Sequence, residues 1–267
     1  MIEALMSLPT LLGLLLFVGL TTAVGLAVQF LTHQLHMRFE HDETKTEIRD
    51  ATGTLFRVAG WLFTLLLSLT FTDVIRDLVV AETAVKGEAV AISDIHDNLR
   101  LFGLEETIKV REHLTGYTQS VIDDDWPALG QQELSKRTSE LWRQVVMASL
   151  ALEAPDGAHE ALRARIFTDL DLVSDHRLAR LQQSRERPTL VLAVVYFGYI
   201  VTMVYFGVYR PRRALVILMS FYTVFVGVTI YLMVAMSAPF HGSTTVESAP
   251  IESVLEEMRA ADGKPSP

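Results

Sequence analysis

Small and hydroxyl-bearing residues recur at every fourth position in one apolar stretch of this sequence. They are Gly60, Thr64, Ser68 and Thr72, and Arg76 extends the same line. Residues four apart lie on one side of an α-helix, so they form a narrow polar line on an otherwise leucine-rich helix. Such a line can border a pore in an oligomer, where Arg76 would form an electropositive mouth that favours anions. It can also let helices pack closely, because small residues allow backbones to approach.

Two further groups have side chains suited to metal ions but lack the spacing of a metal site. His33 and His36 are followed closely by other polar residues, which are His41, Asp42 and Glu43. We expect histidines at a membrane interface here rather than a metal cluster. The run of residues 123–125 is three consecutive Asp, and consecutive helical residues point in different directions. We therefore expect a solvated acidic helix end rather than a calcium site.

The sequence offers no clear catalytic constellation. Asp94, His96 and Asp97 lie together, but they alternate with apolar heptad positions and are expected to face solvent. No nucleophile beside a base, no paired carboxylates and no glycine-rich phosphate loop stands out. The chain has no cysteine, which excludes disulfides and thiolate chemistry. We predict neither catalytic residues, nor a metal site, nor a cofactor, and no enzymatic activity.

Four apolar stretches of the sequence predict transmembrane helices, and one of them carries the polar line. Three of them contain no Asp, Glu, Lys or Arg: residues 4–37, 189–209 and 214–246. A helix needs about 20 residues to cross about 30 Å of hydrocarbon. The fourth stretch carries Arg57 and Asp73 near its ends, where a long side chain can reach the headgroups. We predict an all-α protein with four transmembrane helices, at about 8–32, 55–75, 189–209 and 214–237.

A helical extramembrane domain is predicted over residues 76–188, inserted between the second and third spans. Its first helix continues out of the second span and places apolar residues seven apart, as in a coiled coil. These heptad residues are Leu78, Val85, Ile92 and Leu99. Gly103 should end this helix, and Pro127 should end the next one.

The remaining segments complete the predicted organisation. Residues 1–75 hold the first two spans and a juxtamembrane connector, and residues 189–237 form a transmembrane hairpin closed by Arg210, Pro211, Arg212 and Arg213. Residues 238–267 form an extramembrane tail with a short amphipathic helix.

Charge distribution excludes some functions. The net charge is −9 and no basic face appears, so nucleic acid is not an expected partner. No charged residue lies deep in a span, which disfavours an ion-coupled pump. Lys and Arg near the span ends are almost equally divided between the two sides, so orientation stays open; the arginine hairpin by itself would place the domain outside the cytoplasm.

Several segments in order resemble the bestrophin-like family of bacterial membrane proteins. They comprise residues 81–89, the stretch from Tyr117 to the Trp126-Pro127 pair, residues 171–181, and Pro239-Phe240-His241-Gly242 followed by Val246 and Pro250. The family-motif positions are Trp126, Pro127, Pro239, Phe240 and Gly242. Ser237 stands where the family usually has an acidic residue, and Asp125 where Glu is more usual.

The resemblance implies a fold and a function. Bestrophins are pentameric anion channels with four spans, a mainly cytosolic helical domain and a pore lined by the second span. For this chain it implies a cytoplasmic domain, which is the opposite of the orientation that the arginine hairpin predicts. We expect a homo-oligomeric, multi-pass protein of the bacterial inner membrane, in contact with lipid and conducting inorganic anions, in which the heptad helix and second span line one axis. The alternative is a membrane-anchored oligomeric scaffold or signalling protein without transport activity.

Overall fold

The structure is a computed structural model that describes residues 10–39, 45–129, 133–185, 189–237, 239–240 and 246–263. Within these residues every regular element is a helix. The helices are α1 Thr10–Phe39, α2 Lys45–Phe102, α3 Glu106–Ser120, a π-helical segment Val121–Asp125, α4 Trp126–Leu129, α5 Lys136–Leu150, α6 Gly157–Arg185, α7 Thr189–Gly207, α8 Arg213–Met236 and α9 Ala249–Asp262. The all-α prediction is confirmed.

The described residues divide into two compact units. The first comprises residues up to 76 with residues 189–237, and the second comprises residues 77–185 with 239–240 and 246–263. Three helical stretches in the described chain are long and apolar enough to cross a membrane, which are Leu11–Arg38, Phe56–Phe102 and Arg213–Met236. A shorter apolar helix spans Leu192–Gly207. The count of four spans therefore stays a prediction.

The first unit is an apolar helical core in which α1 packs against both α7 and α8. Phe17, Phe63, Tyr199 and Ile230 are among its buried side chains. Gly198 on α7 allows close approach, because a Cβ there would collide with the ring of Phe63. Small residues thus bring the membrane helices of one chain together at positions other than the predicted polar line.

The second unit surrounds the C-terminal part of α2. The heptad residues Val85, Ile92 and Leu99 are each at most 1% exposed, packed in a core shared with α3, α5 and α6. This burial corrects the expectation that the heptad lines an oligomer axis. A seven-residue apolar repeat shows that one side of a helix is apolar, but it does not identify the helix that packs against that side. Here the packing partners are helices of the same chain.

Two predicted helix ends have different outcomes. α2 ends at Phe102, and Gly103 follows with a φ of 71°, a conformation that glycine adopts without steric cost. Pro127 does not end its helix, because the helical backbone continues from the π-helical segment through α4 to Leu129.

Candidate functional site

The predicted polar line on α2 lies outside the core of the first unit. Thr64, Ser68 and Thr72 are exposed, and Gly60 is half-buried with space around its Cα. Phe63, about 100° around the helix from Thr64, is buried in that core. The small residues of the line therefore do not serve helix packing within one chain, and their surroundings must be lipid, water or another subunit.

The hydroxyl groups of the line are tied to the helix backbone. Thr64 Oγ1 donates to the carbonyl oxygen of Gly60 at 2.8 Å, and Thr72 Oγ1 donates to that of Ser68 at 2.9 Å. A hydroxyl bonded in this way satisfies its own donor and leaves its lone pairs outward. From Gly60 to Thr72 the line therefore presents a weakly polar surface with no fixed charge.

The geometry of the line determines the tilt at which α2 could border the central axis of an oligomer. Residues four apart advance about 400° around a helix, so the line drifts about 40° per step and is inclined about 26° to the helix axis. A helix tilted by a similar angle, common for membrane spans, would lay the whole line along one axis.

Arg76 ends the line beside acidic neighbours. Its Nη2 lies 3.8 Å from Asp73 Oδ1, and the two side chains are 73% and 65% exposed. Asp77 follows directly in the sequence. Because this pair is exposed, its attraction is weak and either side chain can turn towards an axis.

A second candidate site lies inside the second unit, where three stretches that carry the family resemblance meet. Glu88 comes from α2, Asp125 from the π-helical segment and Arg180 from α6, and all three are 0% exposed. Arg180 Nη2 donates to Glu88 Oε1 at 3.2 Å and to Asp125 Oδ2 at 3.3 Å. Its Nε forms an ion pair with Glu88 Oε2 at 3.0 Å without hydrogen-bond alignment. We call these residues, with Tyr117 and Arg177, the buried charge cluster.

Tyr117 and Arg177 complete the buried charge cluster. The Tyr117 hydroxyl donates to Glu88 Oε1 at 2.8 Å. Arg177 Nε lies 3.6 Å from Asp125 Oδ2, and its Nη2 donates to Ser139 Oγ at 2.9 Å. Two carboxylates and two guanidinium groups thus balance to zero net charge. Buried charges require this kind of pairing, because removing an ion from water is costly.

The electrostatic environment of the cluster shifts the pKa of two of its groups, Tyr117 and Arg180. Burial, together with the negative charge of Glu88, raises the pKa of Tyr117 well above its ordinary value, so the phenol remains a donor. Burial by itself lowers the pKa of Arg180, but Glu88, Tyr117 and Asp125 raise it, and the net shift is upward. The paired charges of the cluster join α2, the π-helical segment and α6 within the domain.

The position of Asp125 corrects the expectation of a solvated acidic helix end. Asp123 is exposed, whereas Asp125 is buried and its Oδ1 accepts from the backbone N–H of Ser135 at 2.8 Å. The extra residue per turn in a π-helix changes the direction of the following side chains. Sequence spacing alone gave no sign of this local widening.

The family-motif residues border the same cluster. The Trp126 ring faces Arg180, with Cζ at 5.4 Å from the ring centroid, and meets the Phe240 ring edge-on at 5.7 Å. Pro127 is exposed beside them, and the Pro239 carbonyl accepts from Val246 N at 2.7 Å. Gly242 lies outside the described residues. These motif positions therefore hold the tail against the domain.

The histidine predictions have mixed outcomes. Asp94 and Asp97 are exposed as expected, but His96 is only 2% exposed and its Nε2 lies 3.2 Å from Asp262 Oδ1 on α9. His33 Nδ1 lies 3.2 Å from the carbonyl oxygen of Gly207. Among the described residues no cluster of three or more His, Asp or Glu could hold a metal ion. The positions His41, Asp42 and Glu43 lie outside the described residues.

The apolar helices and the helical domain with its charged core define the class as an all-helical membrane protein. A crystal structure of a bacterial bestrophin homologue from Klebsiella pneumoniae with one substitution is similar at a TM-score of 0.65 and 11% identity, over 94% of this chain and 99% of that one. Another structure of a bestrophin homologue from this organism gives a TM-score of 0.63 at 13% identity, over 94% and 98%. A search among curated proteins found no match.

The sequence comparison identifies the family. The bestrophin-like domain matches residues 19–251 of this chain. The chain belongs to the bestrophin-like family, and the resemblance drawn from its motifs is confirmed.

Proposed function

We propose that the protein is a homo-oligomeric anion channel of the bacterial inner membrane. Each subunit crosses the membrane four times, with the helical domain inserted between the second and third spans, and the α2 line of Gly60, Thr64, Ser68, Thr72 and Arg76 faces the central axis. The proposal rests on one observation: the hydroxyl line is exposed on α2 while the heptad of the same helix is buried.

The exposure of the line supports a pore over close packing within one chain. A hydroxyl surface on a membrane span gains nothing from facing acyl chains, whereas it can border hydrated ions. Apolar side chains such as Trp61 and Leu65, 78% and 57% exposed, cover other parts of the same helix and suit lipid or a neighbouring subunit. The resemblance to bestrophins, which are anion channels, supports transport over enzymatic activity.

The preference of the proposed pore for anions over cations depends on the charged side chains at its mouth. Arg76 favours anions if it turns inward, but Asp73 and Asp77 are close enough to offset its charge. Anion conduction therefore requires that the guanidinium, not the carboxylates, borders the axis. The Arg76→Glu substitution reverses the charge at this point.

The experiment that tests the channel is ion efflux from chloride-loaded liposomes containing the purified protein. Thr64→Leu and Ser68→Leu each replace a hydroxyl with a branched apolar side chain, and we expect at least about tenfold less efflux with an intact oligomer. Thr229→Leu is the matched control, because Thr229 makes the same bond to the fourth preceding carbonyl on α8. Arg76→Glu should reduce the ratio of chloride to potassium permeability.

The same measurement distinguishes the scaffold alternative. If Thr64→Leu and Ser68→Leu dissociate the oligomer in mild detergent, the line is a packing surface between subunits. No protein-dependent efflux of chloride, nitrate or potassium at several calcium concentrations would refute the channel. A membrane-anchored helical scaffold would then be the better description.

Topology is tested separately with reporter fusions at Gly130 and Lys264. If the chain has four spans and a cytoplasmic domain, both reporters are cytoplasmic. The reason is that an even number of spans lies between Gly130 and Lys264, so both sites are on the same side of the membrane. Reporters on opposite sides would contradict the four spans. Two periplasmic reporters would retain four spans and reverse the orientation.

A further inference from the structure

A cavity of about 230 Å³ lies at one end of the membrane unit. Its walls come from α1, from the loop that joins α7 to α8 and from the first turn of α8. The lining residues are Leu26, Gln29, Phe30, His33, Tyr209, Pro211 and Val216. The cavity has no role in the proposed pore, because none of its residues belongs to α2.

Gln29 is the unusual residue of this cavity. It is 4% exposed, and its Nε2 has no hydrogen-bond partner in the described part of the chain. A buried amide nitrogen without an acceptor is costly, and such groups in native structures usually have a ligand or an ordered water. The amide offers two N–H donors, so its missing partner is an oxygen acceptor.

A second polar atom lies on the same side of α1. Thr22 precedes Gln29 by seven residues, which is two helical turns, and its Oγ1 is also buried without a partner in the described residues. His33 follows one turn later. Its Nδ1 lies 3.2 Å from the Gly207 carbonyl, which can only accept, so Nδ1 bears the proton. Gln29 and His33 therefore place two polar groups in the wall of the cavity, and Thr22 adds a third on the same side of α1.

The surroundings of the cavity are positive at one end and apolar at the other. Arg210, Arg212 and Arg213 are exposed in and beside the connecting loop, and this loop contains no acidic residue. Phe30 and Val216, 57% and 36% exposed, form the outer wall on the apolar surface of the unit. Basic pockets between membrane helices bind the head groups of anionic lipids.

We propose that this cavity binds one anionic phospholipid, with a phosphate oxygen accepting from Gln29 Nε2 and an acyl chain against Phe30 and Val216. The arginine loop supplies the positive field for the headgroup. Water alone would satisfy the amide, but it would leave the apolar wall unoccupied, whereas a phospholipid has both parts. The proposal is independent of ion conduction, so its test does not use flux.

The test uses the full-length protein stripped of lipid in detergent. Binding of phosphatidylglycerol is measured by native mass spectrometry and by the rise in unfolding temperature. Phosphatidylcholine, diacylglycerol with the same chains, and inorganic phosphate are the comparison ligands. We expect phosphatidylglycerol to bind most tightly, and diacylglycerol and inorganic phosphate each to give a much smaller rise.

Gln29→Leu keeps the size of the side chain and removes the donor. We expect about tenfold weaker phosphatidylglycerol binding, equivalent to one hydrogen bond to a charged group. Without lipid the variant should be at least as stable as the parent, since a buried unpaired amide has been removed. Gln34→Leu is the matched control, because Gln34 is exposed on the same helix and does not line the cavity.

Three results would overturn the proposal. Equal phosphatidylglycerol binding by Gln29→Leu and the parent would show that the amide holds no headgroup. An equal effect of inorganic phosphate would identify a free anion as the occupant. An equal effect of diacylglycerol would show that only the apolar wall matters.

Discussion

Removing the central guanidinium of the buried charge cluster should strongly destabilise the helical domain. In Arg180→Met, Glu88 retains only the Tyr117 hydroxyl, while Asp125 retains Arg177 at 3.6 Å and the Ser135 N–H. Breaking a buried ion pair by removing one partner costs about 3–5 kcal/mol. Because Asp125 keeps two partners, we expect the lower end, about 3 kcal/mol.

The unpaired charge of Glu88 explains part of this expected loss, which a double variant can show. Glu88→Gln in the Arg180→Met background leaves Asp125 and Arg177 as a balanced pair and removes the unpaired carboxylate. We expect it to recover about 1–2 kcal/mol relative to Arg180→Met alone, a coupling typical of residues in contact. Arg143→Met is the control, because Arg143 is 71% exposed and should be replaceable without a measurable change.

The assay is heating in detergent at one scan rate, followed by tryptophan fluorescence. Trp126 faces Arg180, and Trp142 packs on Tyr117 with ring centroids 4.8 Å apart, so emission reports on the cluster. A loss of about 3 kcal/mol should lower the midpoint by roughly 6–12 °C in a protein of this size. A midpoint within about 2 °C of the parent would refute the structural role of the cluster. No recovery in the double variant would refute the assignment to Glu88.

Three further predictions concern separate features. Gly198→Ala should cost about 1–3 kcal/mol, because the new methyl group collides with a packed phenylalanine ring. Gly19→Ala has open space and should be neutral or slightly stabilising, because alanine favours a helix more than glycine does; equal midpoints of the two variants on heating would contradict the packing. Ser135→Ala should cost about 1 kcal/mol, because the side chain caps α5 by accepting from a backbone N–H at 3.2 Å, and an unchanged unfolding midpoint would show that the cap contributes nothing. Burial and the charge of Asp94 raise the pKa of Asp169, so the folded state binds its proton more tightly than the unfolded state. Asp169→Asn should therefore be more stable than the parent at neutral pH, by a margin that disappears as the pH falls below the ordinary aspartate pKa; a margin that grows in acid would contradict the sign.

The residue composition and periodicity determined the helical architecture. Continuous apolar runs predict spanning helices because the backbone must satisfy its own hydrogen bonds in lipid. The seam of Val85, Ile92 and Leu99 predicted a helix with one buried side, and the motif order predicted the family. The hydroxyl line on α2 was also visible in the sequence, since it requires only a period of four.

Only the tertiary structure decided which partners these faces meet. A heptad repeat does not show whether the helix packs against another subunit or against its own chain. In the structure the heptad residues pack against α3, α5 and α6 of the same chain. Glu88, Asp125 and Arg180 are far apart in the sequence, and their charges predict solvent exposure until the fold brings opposite signs together. Two other features depend on three-dimensional packing and cannot be predicted from the spacing of residues. They are the π-helical turn that directs Asp125 inward and the unpaired amide of Gln29.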